Sequence, residues 1–215
     1  MVLSCYAAAK NKAPILAELE KHINITNFHN NEIKIFEVAS GTGEHAAYFC
    51  SSLLNRNLIY QPTEPDRTMH ESIVSWAGEM LNKSILPPVA VDVLNYDGND
   101  SQYNNLMKGC CADIIICINM IHISPLPATE GLFRVSSIKC RAGGHLFLYG
   151  PFRIQNEMVQ SNVDFDSNLK SRNPDWGVRD LEYVISVGDK CGFDFIGKVD
   201  MPSNNYWVNF KKRSP

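Results

Sequence analysis

Apolar positions along the chain switch repeatedly between a two-residue and a three-to-four-residue period, and those switches mark the predicted elements. Ile33 and Ile35 alternate with Phe36 and Val38, run into Ser40-Gly41-Thr42-Gly43, and give way to a helical pattern at His45, Ala46, Ala47 and Phe49. This predicts a buried strand, a glycine turn and a helix from about Glu44 to Asn55. Upstream, Pro14 opens a helix over Ala13–Ile25 with Ile15, Leu16, Leu19 and Ile23 on one face, followed by a polar loop to Glu32. Downstream come a short strand at Leu58–Gln61, a helix carrying Met69, Ile73, Trp76 and Met80, and a third strand at Val89–Val93. Tyr96–Lys108 is polar with room for a short helix. Asp113–Ile118 is a continuous apolar run, the mark of a central parallel strand covered on both faces. A helix over about Leu126–Arg141, ended by Gly143-Gly144, leads to a fifth strand at His145–Tyr149. The segments around Asn162–Asp166 and Trp176–Asp180 read as connections with a binding or lid role. A helix with Leu181, Val184, Ile185 and Val187 then precedes a hairpin of Gly192–Met201 and Tyr206–Phe210.

Strand–helix alternation closed by a hairpin predicts an α/β fold, a parallel sheet with one antiparallel strand. No linker or repeat divides the 215 residues, 45% of them hydrophobic, so one domain is expected over 1–215, with 1–32 packing on it. A net charge of −3 gives no electrostatic reason to expect nucleic acid, because the one basic run is Lys211-Lys212-Arg213. Seven cysteines without a Cys-x-x-Cys pair fit neither a disulfide framework nor a zinc site. With no apolar run near the ~20 residues of a membrane span, the expectation is a soluble, cytoplasmic protein that holds no metal.

The glycine turn carries the chemistry. Gly41 and Gly43 let the backbone approach a ligand while the next helix aims its positive end there. Gly41-Thr42-Gly43-Glu44-His45-Ala46 satisfies the loose dinucleotide fingerprint. Glu37, four residues before Gly41, instead gives E-x-A-x-G-x-G, in which Ala39 takes the first glycine's place and the acid can pair with an ammonium group. That pattern resembles the first motif of class I methyltransferases, whose S-adenosylmethionine has an ammonium where a dinucleotide has pyrophosphate. The alternative is a buried Glu37 capped by backbone donors beside a merely tight turn. Glu64 falls 21 positions beyond Gly43, where a second strand delivers a carboxylate to ribose hydroxyls, with Asp66 the better helix cap. Asp92 and Val93 suit an adenine, the acid accepting from its amine and the valine covering its face; a loop-capping Asp92 is the alternative. Asn119 and His122, just past the central strand, should face the same crevice, and His122 reads equally as a core histidine.

The blocks EVASGTGEHAAYF, YQPTEPD, CINMIHISPLPATEGLFR, LYGPF, SNVDFD, NPDWGVRD and DMPSNN, in order, resemble the methyltransferase-like protein 26 family and its bacterial relatives. The resemblance spans nearly the whole chain from Lys10-Asn11-Lys12. It implies a Rossmann-like class I methyltransferase fold, a seven-stranded sheet of order 3-2-1-4-5-7-6 with helices on both faces, and S-adenosylmethionine as cofactor. It implies no substrate. Lys10 stands where an arginine is expected and Glu64 where an aspartate is usual.

Within that resemblance Glu37, Ala39, Gly41, Gly43, Glu64, Asp92, Val93 and Asn119 are the expected cofactor contacts. His122, Asn119 and Tyr149 are the expected catalytic groups, His122 as base. Asn11, Asn162, Asp166 and Arg179 are the expected acceptor contacts, with a structural pair between Arg179 and Asp166 or Asp180 as the alternative. The N-P-P-[YF] signature of amide and amino methylation is absent, since Asn119 is followed by Met-Ile-His. The expected activity is methyl transfer to a small-molecule or protein acceptor. Two other readings are a non-catalytic cofactor-binding regulator and, on the glycine fingerprint alone, a nicotinamide-dependent oxidoreductase.

Overall fold

The computed structural model describes residues 2–26, 28, 32–78, 84–96, 98–99, 107–109 and 111–214. Along them run α1 (Tyr6–Ile25), β1 (Glu32–Val38), α2 (Glu44–Ser52), β2 (Asn57–Pro62), α3 (His70–Gly78), β3 (Ala112–Ile118), α4 (Pro127–Lys139) and β4 (Cys140–Gly150). After them come β5 (Phe152–Arg153), α5 (Gln160–Arg172), β6 (Arg179–Asp180), α6 (Leu181–Lys190), β7 (Phe193–Met201) and β8 (Asn205–Lys212).

All seven residues of β3 are buried, and the strand sits inside a six-stranded sheet of order β2-β1-β3-β4-β8-β7. β1, β2, β3 and β4 pair in parallel, and β8 runs antiparallel to both β4 and β7. One face carries α1 and α2, whose Ile15, Leu19 and Phe49 pack on Ile35, Ile114 and Phe147. The other carries α4 and α6, whose Phe133 and Val184 pack on Phe36, Ile115 and Leu146.

The expected seventh strand is the main departure. Residues 84–89 run parallel beside β2 through isolated pairs Tyr60↔Ile85 and Thr63↔Val89, and no strand forms over Val89–Val93. Pro87 and Pro88 lack the N–H groups a ladder needs, which limits the contact to single bridges. The sheet is therefore six-stranded, not seven-stranded in the order 3-2-1-4-5-7-6.

Smaller corrections have equally local causes. Pro14 lies inside α1, which begins at Tyr6, because Ala7-Ala8-Ala9 extends the helix before it. Asn162–Asp166 is helix α5 rather than a connection, and β4 begins at Cys140, ahead of Gly143-Gly144. The two-residue parallel pair β5–β6 was not expected. Met80, most of the Tyr96–Lys108 stretch and part of the loop before Glu32 lie outside the described residues. No described helix is long and apolar enough to cross a membrane.

Candidate active site

Strand order reverses at β1, which has β2 on one side and β3 on the other, so the carboxyl ends of β1 and β3 flank a crevice. The turn leaving β1 takes left-handed backbone angles at Ala39 (φ 57°), Gly41 (φ 55°) and Gly43 (φ 87°). Gly43 is fixed by packing, since a Cβ there would stand 2.9 Å from Ile73 Cα of α3. At Gly41 nothing lies within 4 Å of where a Cβ would be. Glycine therefore serves close approach at one position and open space at the other.

That space belongs to a cavity of about 310 Å³, walled by Val38, Ala39, Gly41, Val91, Val93 and Met120 among others, with Ile118, Ile123, Ser124 and Pro125 on the β3 side. Glu64 and Asp92 are its acids. Glu64 is 8% exposed, and its carboxylate accepts from Gly41 N at 2.8 Å and Asp66 N at 3.1 Å. Asp92 accepts from Leu94 N at 2.9 Å and Asn95 Nδ2 at 2.7 Å, so it caps its own turn while lining the cavity. Asp66 caps the turn before α3, accepting from Thr68 N at 2.9 Å.

Glu37 lies just beneath this wall, 1% exposed. Burial pushes its carboxyl up to about 7, the hydroxyls of Ser40 and Tyr60 favour the charged form, and the charge of Glu64 adds to the rise. Glu37 Oε2 has no hydrogen-bond partner among the described residues.

Asn119, in left-handed backbone (φ 61°), donates its N–H to Tyr149 O at 2.8 Å and ties the end of β3 to β4. His122 is 1% exposed and does not line the cavity. Its ring lies so close to Gly150 that a Cβ there would come within 2.2 Å of it, and its edge meets Phe165 at 6.1 Å between centroids. Burial and the charge of Arg179 pull His122 down to about 3, and its Nδ1 has no partner among the described residues. Tyr149 faces the other side of the sheet beside Asn11 and Asn205, and burial raises its hydroxyl. Asn11 Oδ1 pairs with His45 Nε2 at 2.7 Å, and burial holds His45 at about 4.

Asn162, Asp166 and Arg179 are brought together by packing. Asn162 Nδ2 donates to Asn204 O at 3.0 Å, fastening α5 to the tip of the β7–β8 hairpin. Asp166 accepts from Val178 N at 2.8 Å and Lys170 Nζ at 2.5 Å. Arg179 pairs with neither Asp166 nor Asp180; it donates to the carbonyls of Ile121 at 2.9 Å, Ser124, and Asp175 at 3.3 Å. Its guanidinium thus pins the segment that carries Ile123 and Ser124 into the cavity wall.

Three residues missing from the sequence reading belong to the site's frame: His45, Tyr60 and Asn205. His45 was read only as a helix-start position, and Tyr60 only as strand. The polar character of either, one step from the glycine turn or from Glu37, was the available signal. Among the described residues no three His, Cys, Asp or Glu side chains gather as a metal would require.

A family model described as protein of unknown function DUF938 matches residues 3–212. Human N-acetylserotonin methyltransferase, solved in complex with S-adenosylmethionine, superposes with a TM-score of 0.70 at 13% identity, over 97% of this chain and 53% of that one. An O-methyltransferase family protein from Burkholderia thailandensis gives 0.73 at 12% identity, over 97% and 58%. The S-adenosylmethionine-dependent methyltransferase SibL, in its apo form, gives 0.73 at 13%, over 96% and 56%. This chain spans little more than half the length of these three. The likeness shows an α/β, Rossmann-like methyltransferase fold with a mostly parallel sheet.

Proposed function

We propose that this chain, which belongs to the DUF938 family, is a class I methyltransferase that binds S-adenosylmethionine across the ends of β1 and β3. The motif blocks further support a place beside methyltransferase-like protein 26. The observation that carries the reading is the join of open space at Gly41, the carboxylate of Glu64 and the apolar wall of Val91 and Val93 in one cavity. A carboxylate offers roughly four acceptor positions, and Glu64 uses two on backbone N–H groups, leaving capacity for a pair of ribose hydroxyls. Asp92, likewise half used by its turn, can accept from an adenine amine while Val93 covers the ring. The same Glu64 disfavours a dinucleotide, because it takes the Gly41 N–H and sets negative charge where a pyrophosphate would lie.

The cofactor supplies an activated methyl group, and the protein's part is alignment, which is worth several kcal/mol. Ile118 bounds the cavity towards Glu37, the partner for an ammonium group. Asn119 fixes the seam between β3 and β4. His122, buried and neutral, is a weak base and acts by holding that seam against Gly150. Asn162, Asp166 and Arg179 shape the acceptor side through α5 and the segment 121–124. The acceptor is a small molecule or protein that presents an already nucleophilic group.

The test is titration calorimetry with S-adenosylhomocysteine. Glu64→Ala is expected to weaken binding at least tenfold, about 1.4 kcal/mol, while remaining folded; equal affinity in the two proteins removes the assignment. A second reading, a cofactor-binding regulator without turnover, is favoured by the engagement of His122, Asp166 and Arg179 in packing. Formation of S-adenosylhomocysteine from S-adenosylmethionine with a cell extract as acceptor pool decides between the two.

A further inference from the structure

Beneath the glycine turn two polar atoms are buried without a partner among the described residues, Glu37 Oε2 and Tyr60 Oη. Glu37 is 1% exposed and Tyr60 is fully enclosed. The groups around the Glu37 carboxyl are Cys50 of α2, Tyr60 of β2, and Ser40 and Glu64 of the flanking turns, with Cys117 of β3 on the far face of the sheet. None of them is a cation. A carboxylate enclosed in this way is costly unless it gains a positive partner or takes up a proton. Ile118, which walls the crevice, lies two residues beyond Ile116, the strand neighbour of Glu37, and so on the same face of the sheet. A ligand that extends from Glu64 along Ile118 therefore passes over Glu37.

We infer that Glu37 is a neutral acid in the ligand-free protein and releases its proton when a ligand bearing an ammonium group is seated above it, so that binding and ionisation are one event. The inference rests on the crevice being the S-adenosylmethionine site and adds the proton to it. One proton passes from the carboxyl to the buffer, no other bond changes, and the Tyr60 hydroxyl then has a carboxylate to donate to. Burial places the event in the neutral range by holding Glu37 at about 7.

Titration calorimetry of the full chain with S-adenosylhomocysteine, in buffers of different ionisation enthalpy, counts the protons released. Subtracting the same series on Glu37→Gln removes the titration of the ligand's own amine. The difference is expected to fall from about one proton near pH 6 to about zero above pH 8, and wild-type affinity to weaken about tenfold per unit below pH 7, unlike the variant. 5′-Methylthioadenosine, which lacks the amino-acid arm, is expected to bind without release. Tyr60→Phe removes the hydroxyl that favours the ionised form and is expected to move the midpoint of release upward; it serves as the test if Glu37→Gln does not fold. Equal proton counts in wild type and Glu37→Gln, or an unmoved midpoint in Tyr60→Phe, overturn the inference and leave the cofactor site standing. Failure of S-adenosylhomocysteine to bind at any pH removes both.

Discussion

Gly41 and Gly43 are two residues apart, share positive φ, and do different work. At Gly43 an added methyl meets the backbone of α3 at 2.9 Å, with no flexible side chain to give way. Left-handed strain of roughly 1–2 kcal/mol and overpacking of roughly 1–3 kcal/mol fall together there. Gly43→Ala is expected to lower the melting temperature by many degrees. Gly41→Ala carries only the strain, because its methyl enters open space, but that space is the crevice. It is expected to weaken S-adenosylhomocysteine binding while melting within a few degrees of wild type. Differential scanning calorimetry and a binding titration on the pair check both outcomes, and the reverse ranking would contradict the assignment of the cavity. His122 teaches the same lesson about position: as a sequence feature it read equally as base or core, and its contact with Gly150 and its fall to about 3 place it in the core.

Among elements, those whose pattern serves only packing were legible, and those whose pattern serves hydrogen bonding were not. β3 is apolar at nearly every position because both its faces are covered, and β1 with its turn shows because the glycines interrupt a strong period. The α5 helix inverts the rule. It buries Asn162 and Asp166 to hold the hairpin tip and Val178, while Val163 and Phe165 stand 37% and 38% exposed, so no apolar stripe marks it as a helix. Residues 89–93 failed differently: their apolar composition suggested a strand, but the chain meets β2 only through single pairs at Ile85 and Val89, on either side of Pro87 and Pro88. The α5–β6 region also yields a prediction about Arg179, whose contacts with the carbonyls of Ile121 and Ser124 make it a clamp on residues 121–124. Arg179→Met leaves the buried Ile121 carbonyl unpaired, at roughly 1–3 kcal/mol before relaxation, and releases the half-buried Ser124 carbonyl. It is expected to lower the melting temperature markedly and to weaken cofactor binding through the loosened wall of Ile123 and Ser124. If Arg179 served the acceptor alone, the variant would keep both stability and cofactor affinity.

For the whole molecule, buried groups that pull in opposite directions set how stability depends on pH. Burial holds His122 at about 3 and His45 and His22 at about 4. All three lie below the ~6.5 of an unfolded chain. Below that pH the unfolded state binds more protons, so their contribution is present above pH 6.5 and is lost as the medium turns acid. Glu37 behaves oppositely, because burial holds it at about 7 in the folded chain. An unfolded glutamate titrates near ~4.3, so between that pH and about 7 the folded state binds more protons and is stabilised by acid. Three histidines against one glutamate leave about two protons taken up on unfolding between roughly pH 6.5 and 4.5, so stability is lost steadily as the medium turns acid. Stability of the wild type is expected to peak near pH 6.5. In Glu37→Gln the offset disappears, so the acid limb steepens to about three protons, while the melting temperature at pH 8 rises because no buried carboxylate has to ionise. Melting curves of the two proteins from pH 5 to pH 8 check this, and parallel curves would mean that Glu37 titrates alike in the folded and unfolded chain.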